Sequence, residues 1–419
     1  MDTEVKQFDN IEDLNDFTLK LFGPYLKNFC YWINDTKNKL HNDSSLFFLS
    51  RDSYLVKIVY DTIYPDDKLD SHYILSSRSA TSFSYMADGF NIKEMISKFP
   101  KNMTIENAFL YGFHLCSASG LNPNLDGVKL NIDDGIKGNL LKEKNSKMLL
   151  YDIIKPLKNL IIHRAKEHNK YYEKHLRGCG NWSNPSVIDM GFRASSQALI
   201  SKLLRRKVQG FYLISYKSAR EVHKKYGPVY AYNSNFINPK NEKSFLNRYK
   251  YIFETLLCIE RKSFLHFTPE GDPVFFEYPR NNITSKKMNI IEDSVKEYLK
   301  EYQIENCKNF DYEFLRFLSK PRLEEALIFE GLIHENIGNN FHDYLISPKS
   351  KQSKSFSIWI EGQKRIDQCN PGGDSPIFLK DKIEAKVMKL FLTSANYARY
   401  ISNRKLFNKH LNYFRNNNH

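Results

Sequence analysis

Three short apolar runs in this chain each stop on a polar or charged turn. Leu46-Phe-Phe-Leu49 gives way to Ser50-Arg51-Asp52-Ser53, and Tyr54-Leu-Val-Lys-Ile-Val-Tyr60 then opens with helical spacing. Tyr73-Ile-Leu-Ser-Ser77 ends on Arg78. Val187-Ile188 ends on Asp189 and continues through Gly191, Arg193, Ala194, Ser195 and Ser196. It then enters Gln197-Ala-Leu-Ile-Ser-Lys-Leu-Leu204, again at helical spacing. Short continuous apolar runs are the mark of strands buried on both faces, and their alternation with helices predicts an α/β fold around a mostly parallel sheet. In such sheets ligands bind beyond the carboxyl ends of the strands, where these three turns fall.

The rest of the pattern is mainly helical. Residues 11–40 read as one or two helices, interrupted at Gly23-Pro24. Residues 82–180 read as a helical insertion, ending in one long helix over 148–176. Val208–Ser215 is a further strand, and Arg220-Glu-Val-His-Lys-Lys a short charged turn or helix. Phe245–Leu257 reads as a helix, and Ser263–Glu277 as a hairpin around Gly271. Residues 288–335 are helical again, with His334 at a helix end or in the loop after it. The predicted division is 1–81 for the N-terminal helices and first strands, 82–180 for the insertion, 181–285 for the second part of the core, and 286–419 for a helical C-terminal region.

Composition narrows the class. The 419 residues are 41% hydrophobic and 14% aromatic, enough for a sizeable core. No run of 18 apolar residues exists, so no membrane-spanning helix is expected, and Met1–Phe8 does not read as a signal peptide. Six scattered cysteines without a Cys-x-x-Cys pair suggest neither zinc nor disulfides and fit a reducing cytoplasm. The net charge of +14 suits an anionic partner or simply a solvated lysine-rich surface. No nucleic-acid-binding motif accompanies it, so no nucleic-acid partner is expected. In Lys382–His419, Lys386, Lys389, Arg399, Arg404, Lys405, Lys409 and Arg415 punctuate an apolar stripe. That segment either docks peripherally on an anionic leaflet or packs its stripe onto the body of the protein.

The candidate chemistry gathers at the three turns. Arg51 and Arg78 offer guanidinium forks for phosphate, and Asp52 and Asp189 offer carboxylates for Mg²⁺ or sugar hydroxyls. Gly191, Ser195, Ser196 and the amides at the following helix start form an anion cradle. Ordinary alternatives stand beside these: a strand–helix turn with an aspartate, a helix cap at Asp52, and a capping or solvent role for Glu254 instead of a base. Ile132-Asp-Asp-Gly135 could hold a metal for a nucleotide sugar, although turns collect Asp and Gly. No P-loop, GxGxxG, GxSxG or paired-aspartate phosphatase motif is present.

The fragments "FGPYLKNF", "FFLSRDSYL", "YILSSRSA" and "VIDMGFRASSQ" together resemble a family of bacterial polysaccharide-biosynthesis proteins. The resemblance spans roughly residues 17–280. Some members of that family resemble phosphoribosyltransferases and build ribofuranose into capsule or O-antigen, often beside a phosphatase of the haloacid dehalogenase type. Two positions differ: Ala194-Ser195 stands where the family favours Gly-Thr, and Met190 follows Asp189 where type I phosphoribosyltransferases usually carry a second acidic residue. The resemblance implies a phosphoribosyltransferase-like sheet with large helical insertions. It also implies transfer of a 5-phosphoribosyl group from 5-phosphoribosyl-1-diphosphate to a sugar hydroxyl of a glycan, with Mg²⁺ as cofactor. On that basis Arg51, Ser53, Arg78, Gly191, Arg193, Ala194, Ser195 and Ser196 are expected to bind donor. Asp52, Asp189 and Glu254 are expected to be catalytic, with Asp52 and Asp189 on the metal. The implied partners are the donor, a glycan acceptor expected to be lipid-linked, and a phosphatase. Two other readings remain open. One is a non-catalytic glycan-assembly partner of a phosphatase or polymerase; the other is a nucleotide-sugar transferase using Asp133 and Asp134.

Overall fold

A computed structural model of the chain describes residues 13–40, 44–101, 103–115, 124–125, 128–129, 138–238, 245–259, 262–277, 281–301, 310–334, 343–347 and 357–369. The chain divides into two units, Met1–Ile366 and Asp367–His419, and the first carries the whole of the central sheet. The Asp133-Asp134 turn and the basic segment from Lys382 lie outside the described residues.

The central sheet has five parallel strands: β1 Ser45–Leu49, β2 Ser71–Ile74, β3 Pro185–Asp189, β4 Gln209–Tyr216 and β5 Val229–Ile237. Their order is 2-1-3-4-5. This bears out the α/β expectation and its parallel sheet. β5 carries no apolar run, and the hydrophobic pattern does not predict it; its Tyr230, Tyr232 and Asn235 place aromatic and polar groups where a buried strand normally has aliphatics.

β1 shows why an apolar run becomes a central strand. All five of its residues are buried, and alternate side chains serve opposite faces. Leu46 and Phe48 join the cluster built by helix α1 (Gly23–Leu40), helix α2 (Tyr54–Ile63) and the C-terminal helices. Phe47 and Leu49 join the opposite cluster, with Trp182 stacked on Phe47 at 3.6 Å between ring centroids. Burying one large apolar side chain is worth about 1.5–3 kcal/mol, so the strand is anchored from both sides.

The helices fill out the chain order. α3 is Arg78–Met86, α4 Ile92–Lys98, α5 Lys144–Ile154 and α6 Lys158–Gly178. α7 is Ser195–Leu204, α8 Ala219–Lys225, α9 Phe245–Leu257 and α10 Asn282–Glu301. Two shorter helices, α11 Phe310–Ser319 and α12 Leu323–Leu327, follow, and a further helix, α13 Ile360–Cys369, comes after them. The expected hairpin is present as β6 Lys262–Phe267 and β7 Pro273–Glu277.

Several boundaries differ from the sequence expectation, each for a local reason. The single helix expected over 148–176 is interrupted at Lys155–Leu157, where Pro156 forces a 3₁₀ turn between α5 and α6. Near Gly23-Pro24 the chain is not broken; a π-turn at Thr18–Phe22 runs directly into α1. β2 stops at Ile74, before Arg78. Ser77 instead caps a helix, its side chain accepting from the Ala80 amide, and Arg78 is that helix's first residue. His334, expected at a helix end or loop, lies in a two-residue strand, β8 Ile333–His334, paired with β9 Asp343–Tyr344. The helices from α10 to α12 share one apolar cluster with α1 and the sheet, so they pack as part of the core.

Candidate functional site

The order 2-1-3-4-5 reverses direction at β1. The chain winds outward from β1 to β2, then returns to place β3 on the other side of β1. Crevices open at the carboxyl ends of strands at such a switch point. Asp52 follows β1 there, and Asp189 ends β3.

Serine hydroxyls knit these tips together. Ser50 Oγ donates to Ser76 O at 2.8 Å and accepts from Ser76 N at 2.9 Å, tying β1 to the loop after β2. Ser53 Oγ donates to Ile188 O at 2.8 Å, tying β1 to β3. Thr81 donates to Ser77 O, so Ser196 is the donor in the 3.2 Å contact between Thr81 Oγ1 and Ser196 Oγ, which links α3 to α7. Ser53 therefore serves the fold, since it is 1% exposed and its single proton is committed to a strand carbonyl. That places it behind the crevice instead of among groups that could meet a donor.

The loop after β3 has the strained form its residue types suggest. Gly191 takes φ +139°, and a Cβ there would lie 2.1 Å from Ile214 O, so only glycine fits. Ala194 is left-handed, φ 56°, immediately before the start of α7. Ile214 N donates to Met190 O and Tyr216 N to Phe192 O, strapping the loop to β4. Ser195 stands at the helix start, half-buried; Ser196 and Ala194 are buried, and Arg193 is exposed.

Charges of both signs converge in front of these tips. Arg78 reaches Glu254 of α9, Nη2 to Oε1 at 2.5 Å. The Arg78 side chain is 73% exposed while that of Glu254 is 8% exposed, so an accessible cation rests on a buried carboxylate. Desolvation opposes the charge on Arg78, but Glu254, Asp52 and Asp189 outweigh it and hold the guanidinium protonated. Arg78 is thus solvent-accessible on one side and electrostatically paired with three carboxylates on the other. Burial pushes the Asp189 carboxyl up to about 8, and the neighbouring charge of Asp52 adds to the rise. Bonds from the Met190 amide, at 2.8 Å, and from Gly191 only partly offset it, as does Arg78. Burial raises Glu254 as well; Arg78 pulls it back and Asp52 pushes it further.

Three members of this cluster lie outside the sequence expectation. His334 Nε2 lies 3.6 Å from Glu254 Oε2, and burial with the charges of Arg51, Arg78 and Lys250 drives its pKa down to about 3. Lys250, one turn before Glu254 on α9, hydrogen-bonds Tyr216 at the tip of β4 and stands 4.7 Å from the centre of the Tyr251 ring. Cys258 Sγ donates to Asp52 Oδ1 at 3.1 Å. Lys250 and Glu254, four apart, lie on one face of α9, and Cys258 follows directly at its C-terminal end, its amide bonded to Glu254 O. Nothing local marks His334, which reaches the site by a tertiary path through β8.

The expected residues therefore divide. Asp52, Arg78, Asp189 and Glu254 come together, Arg51 beside Asp52 acts electrostatically on His334, and Gly191, Ala194 and Ser195 stand in the adjoining loop. Ser53 and Ser196 are engaged in structure, and the solvent role for Glu254 is overturned by its burial and its ion pair. Among the described residues no group of three or more His, Cys, Asp or Glu is placed to hold a metal ion. Asp52 and Asp189 remain as two mutually repelling carboxylates, which fits a Mg²⁺ ion that takes one or two carboxylates and completes its shell with water and phosphate oxygens. No helix among the described residues is long and apolar enough to cross a membrane. Compared with family models and with curated proteins, the chain matches none.

Proposed function

We propose that the chain is a phosphoribosyltransferase-type glycosyltransferase that moves a 5-phosphoribosyl group from 5-phosphoribosyl-1-diphosphate to a sugar hydroxyl of a glycan. The observation that carries this reading is the meeting of Asp52, Arg78 and Asp189 at the β1/β3 switch point, with Glu254 behind them and Arg51, next to Asp52 in the chain, acting on His334. Accessible guanidinium groups suit the diphosphate, and the start of α7 with Ser195 suits the 5-phosphate. Asp189, deep in the crevice, suits the ribose hydroxyls.

In this reaction the bond from the anomeric carbon to the diphosphate oxygen breaks, and its electron pair leaves with the diphosphate. The acceptor O–H bond supplies the pair for the new glycosidic bond, and its proton passes to Glu254. Arg51 and Arg78 offset the charge that builds on the leaving group, an electrostatic contribution made without reorganisation. Asp52 and Asp189 would hold Mg²⁺, which supplies further neutralisation of the diphosphate when bound. A lipid-linked acceptor would bring the chain to the inner face of the cytoplasmic membrane as a peripheral protein, with a phosphatase acting on the product.

Equilibrium binding of radiolabelled 5-phosphoribosyl-1-diphosphate, set against a panel of nucleotide sugars, tests the reading. Selective, Mg²⁺-dependent binding of the phosphoribosyl donor is expected. Selective binding of a nucleotide sugar would replace it with a nucleotide-sugar transferase, and binding of neither would favour an assembly partner.

A further inference from the structure

We infer that His334 is a positioning residue: held by Thr255 in one tautomer, it presents the Nε2 lone pair to Glu254 and so fixes where that carboxyl carries a proton. This rests on the proposed reaction to the extent that Glu254 is its base, but the tautomer itself does not depend on the identity of the donor.

One hydroxyl decides the tautomer. Thr255 Oγ1 donates to Tyr251 O at 2.7 Å, one turn back along α9. A threonine hydroxyl has a single proton, so its 3.0 Å contact with His334 Nδ1 must be an acceptance. His334 therefore carries its proton on Nδ1, and Nε2 is an acceptor. That acceptor faces Glu254 Oε2 at 3.6 Å, while Arg78 occupies Oε1 at 2.5 Å. His334, Thr255 and Glu254 are all buried, so bulk water does not average these orientations away.

The two oxygens of Glu254 are thus distinguished. Oε1 is bound by a cation and favours negative charge. Oε2 faces a lone pair, which repels an ionised oxygen and accepts from a protonated one. When Glu254 takes the acceptor's proton, the carboxyl O–H is best placed on Oε2, directed at Nε2. Protonation of His334 itself is opposed by burial and by Arg51, Arg78 and Lys250, so the imidazole stays an acceptor. The charged and titratable groups facing Glu254 are Arg78 from α3, Asp52 from the β1 turn, Lys250 from its own helix, Tyr216 from β4 and His334 from β8. Tyr216 is engaged by Lys250, and His334 is the neutral acceptor that meets Glu254 Oε2, at 3.6 Å. Burial raises the Glu254 carboxyl above its ordinary value, which makes it a stronger base for general-base catalysis.

Long-range ¹H–¹⁵N spectra of the full chain labelled at histidine, with His334→Gln used to assign the resonance, read the tautomer directly. The expected result is a neutral ring protonated on Nδ1 from about pH 6 to about pH 8. A proton on Nε2, or an imidazolium, overturns the inference whether or not the chain transfers phosphoribose. The functional arm uses Thr255→Val, with Thr255→Ser as the conservative control. Valine removes the acceptor at Nδ1, so the ring turns to the other tautomer and donates Nε2–H to the Glu254 carboxylate. The acid limb of the turnover profile should then move to lower pH and turnover at its plateau should fall roughly tenfold, with donor affinity unchanged and Thr255→Ser like the parent. A tautomer that switches while the acid limb stays in place also overturns it. Absence of turnover in the parent chain would count against the proposed reaction and leave the spectroscopic result to decide this one.

Discussion

Helix α3 borders two very different clusters of ionisable side chains. Its first residue, Arg78, faces the crevice with Asp52, Asp189 and Glu254. Farther along, Ser79, Phe83 and Ser84 face a closed pocket that holds His114, His168 and His266, with Arg164 nearby. His114 Nδ1 and His266 Nδ1 are 3.2 Å apart, and Phe83 stacks on the His114 ring at 4.3 Å. Both clusters contain groups displaced far from their ordinary pKa. In the crevice two carboxylates, Asp189 and Glu254, are raised by burial and by the charge of Asp52, beside the lowered His334; in the pocket every displaced group named here is an imidazole lowered by burial. The difference lies in access and in the charge left over. The pocket is resolved by keeping its histidines neutral among aromatic rings. The crevice leaves an accessible cation and repelling carboxylates that a phosphate and a divalent cation would satisfy. A shifted pKa marks a functional site only when a ligand can reach it.

Asp189→Asn should separate the two kinds of cluster by the largest margin. Loss of one charged contact at the reacting centre should lower turnover by about 10²–10³. Stability should move the other way. Because the folded-state pKa of Asp189 lies above its unfolded value of 3.8, the native state holds the extra proton between pH 4 and 8. Its contribution is complete below the lower of these values and is lost as pH rises through about 8. In chelator the asparagine variant should therefore unfold at higher urea than the parent near pH 8, by a couple of kcal/mol, with the gap closing toward pH 4. A parent and a variant of equal stability at both pH values would remove the charge repulsion on which the crevice reading depends.

The pocket should show the opposite slope. His168 is pushed down to about 3 by burial, and His114 and His266 are lowered with it. The unfolded chain binds protons at these rings below about pH 6.5, while the native chain does not. Stability held by the neutral rings is complete above that pH and drains as pH falls. His168 has both nitrogens engaged: the Phe267 amide donates to Nδ1 at 3.0 Å, so Nε2–H donates to Ser84 at 2.9 Å. Urea midpoints against pH for His168→Gln should show a flatter acid limb than the parent. An unchanged slope would mean that other groups carry the acid sensitivity.

Gly191→Ala is the next effect in size. The added methyl would meet Ile214 O, and φ +139° is strained for any residue with a Cβ. A loss of roughly 3 kcal/mol in chemical denaturation is expected, with the crevice distorted beside Asp189. A variant with parental stability would show that the loop can move away from β4.

Much of this arrangement is legible in the sequence because it is local. Leu46–Leu49 reads as a strand since each residue is apolar, and the turn at Arg51-Asp52 ends it at once. Gly191 and Ser195 announce a strand–loop–helix junction by residue type alone. Arg78 reaches the expected place by a different route: Ser77 makes it the start of a helix, which the apolar pattern of Tyr73–Ile74 could not reveal. β5 escapes because its tyrosines and asparagines lack an apolar run, and its place is set by pairing with β4. His334 escapes for a deeper reason. Its partner Glu254 lies 80 residues away, and only the burial of both makes either one chemically notable. The pocket histidines share that property, since His114 and His266 meet through tertiary packing.

The smallest effect comes from making one substitution in both clusters. Arg78→Lys keeps a positive charge near Glu254 but replaces a planar fork with a point charge. Its side chain is largely exposed, so stability should hardly change. Donor affinity should fall by several-fold, about 1 kcal/mol, because bidentate contact with the diphosphate is lost. Arg51→Lys should act in the same direction. Arg164→Lys, made in the closed pocket, should do the reverse. Arg164 is only 8% exposed, so a poorly matched ammonium there should lower the unfolding midpoint while donor affinity stays at the parental value. Paired titration calorimetry and urea unfolding on the three variants read both quantities. Lysine variants at positions 51 and 78 that bind donor normally would return these arginines to a structural role and take the diphosphate site away from the switch point.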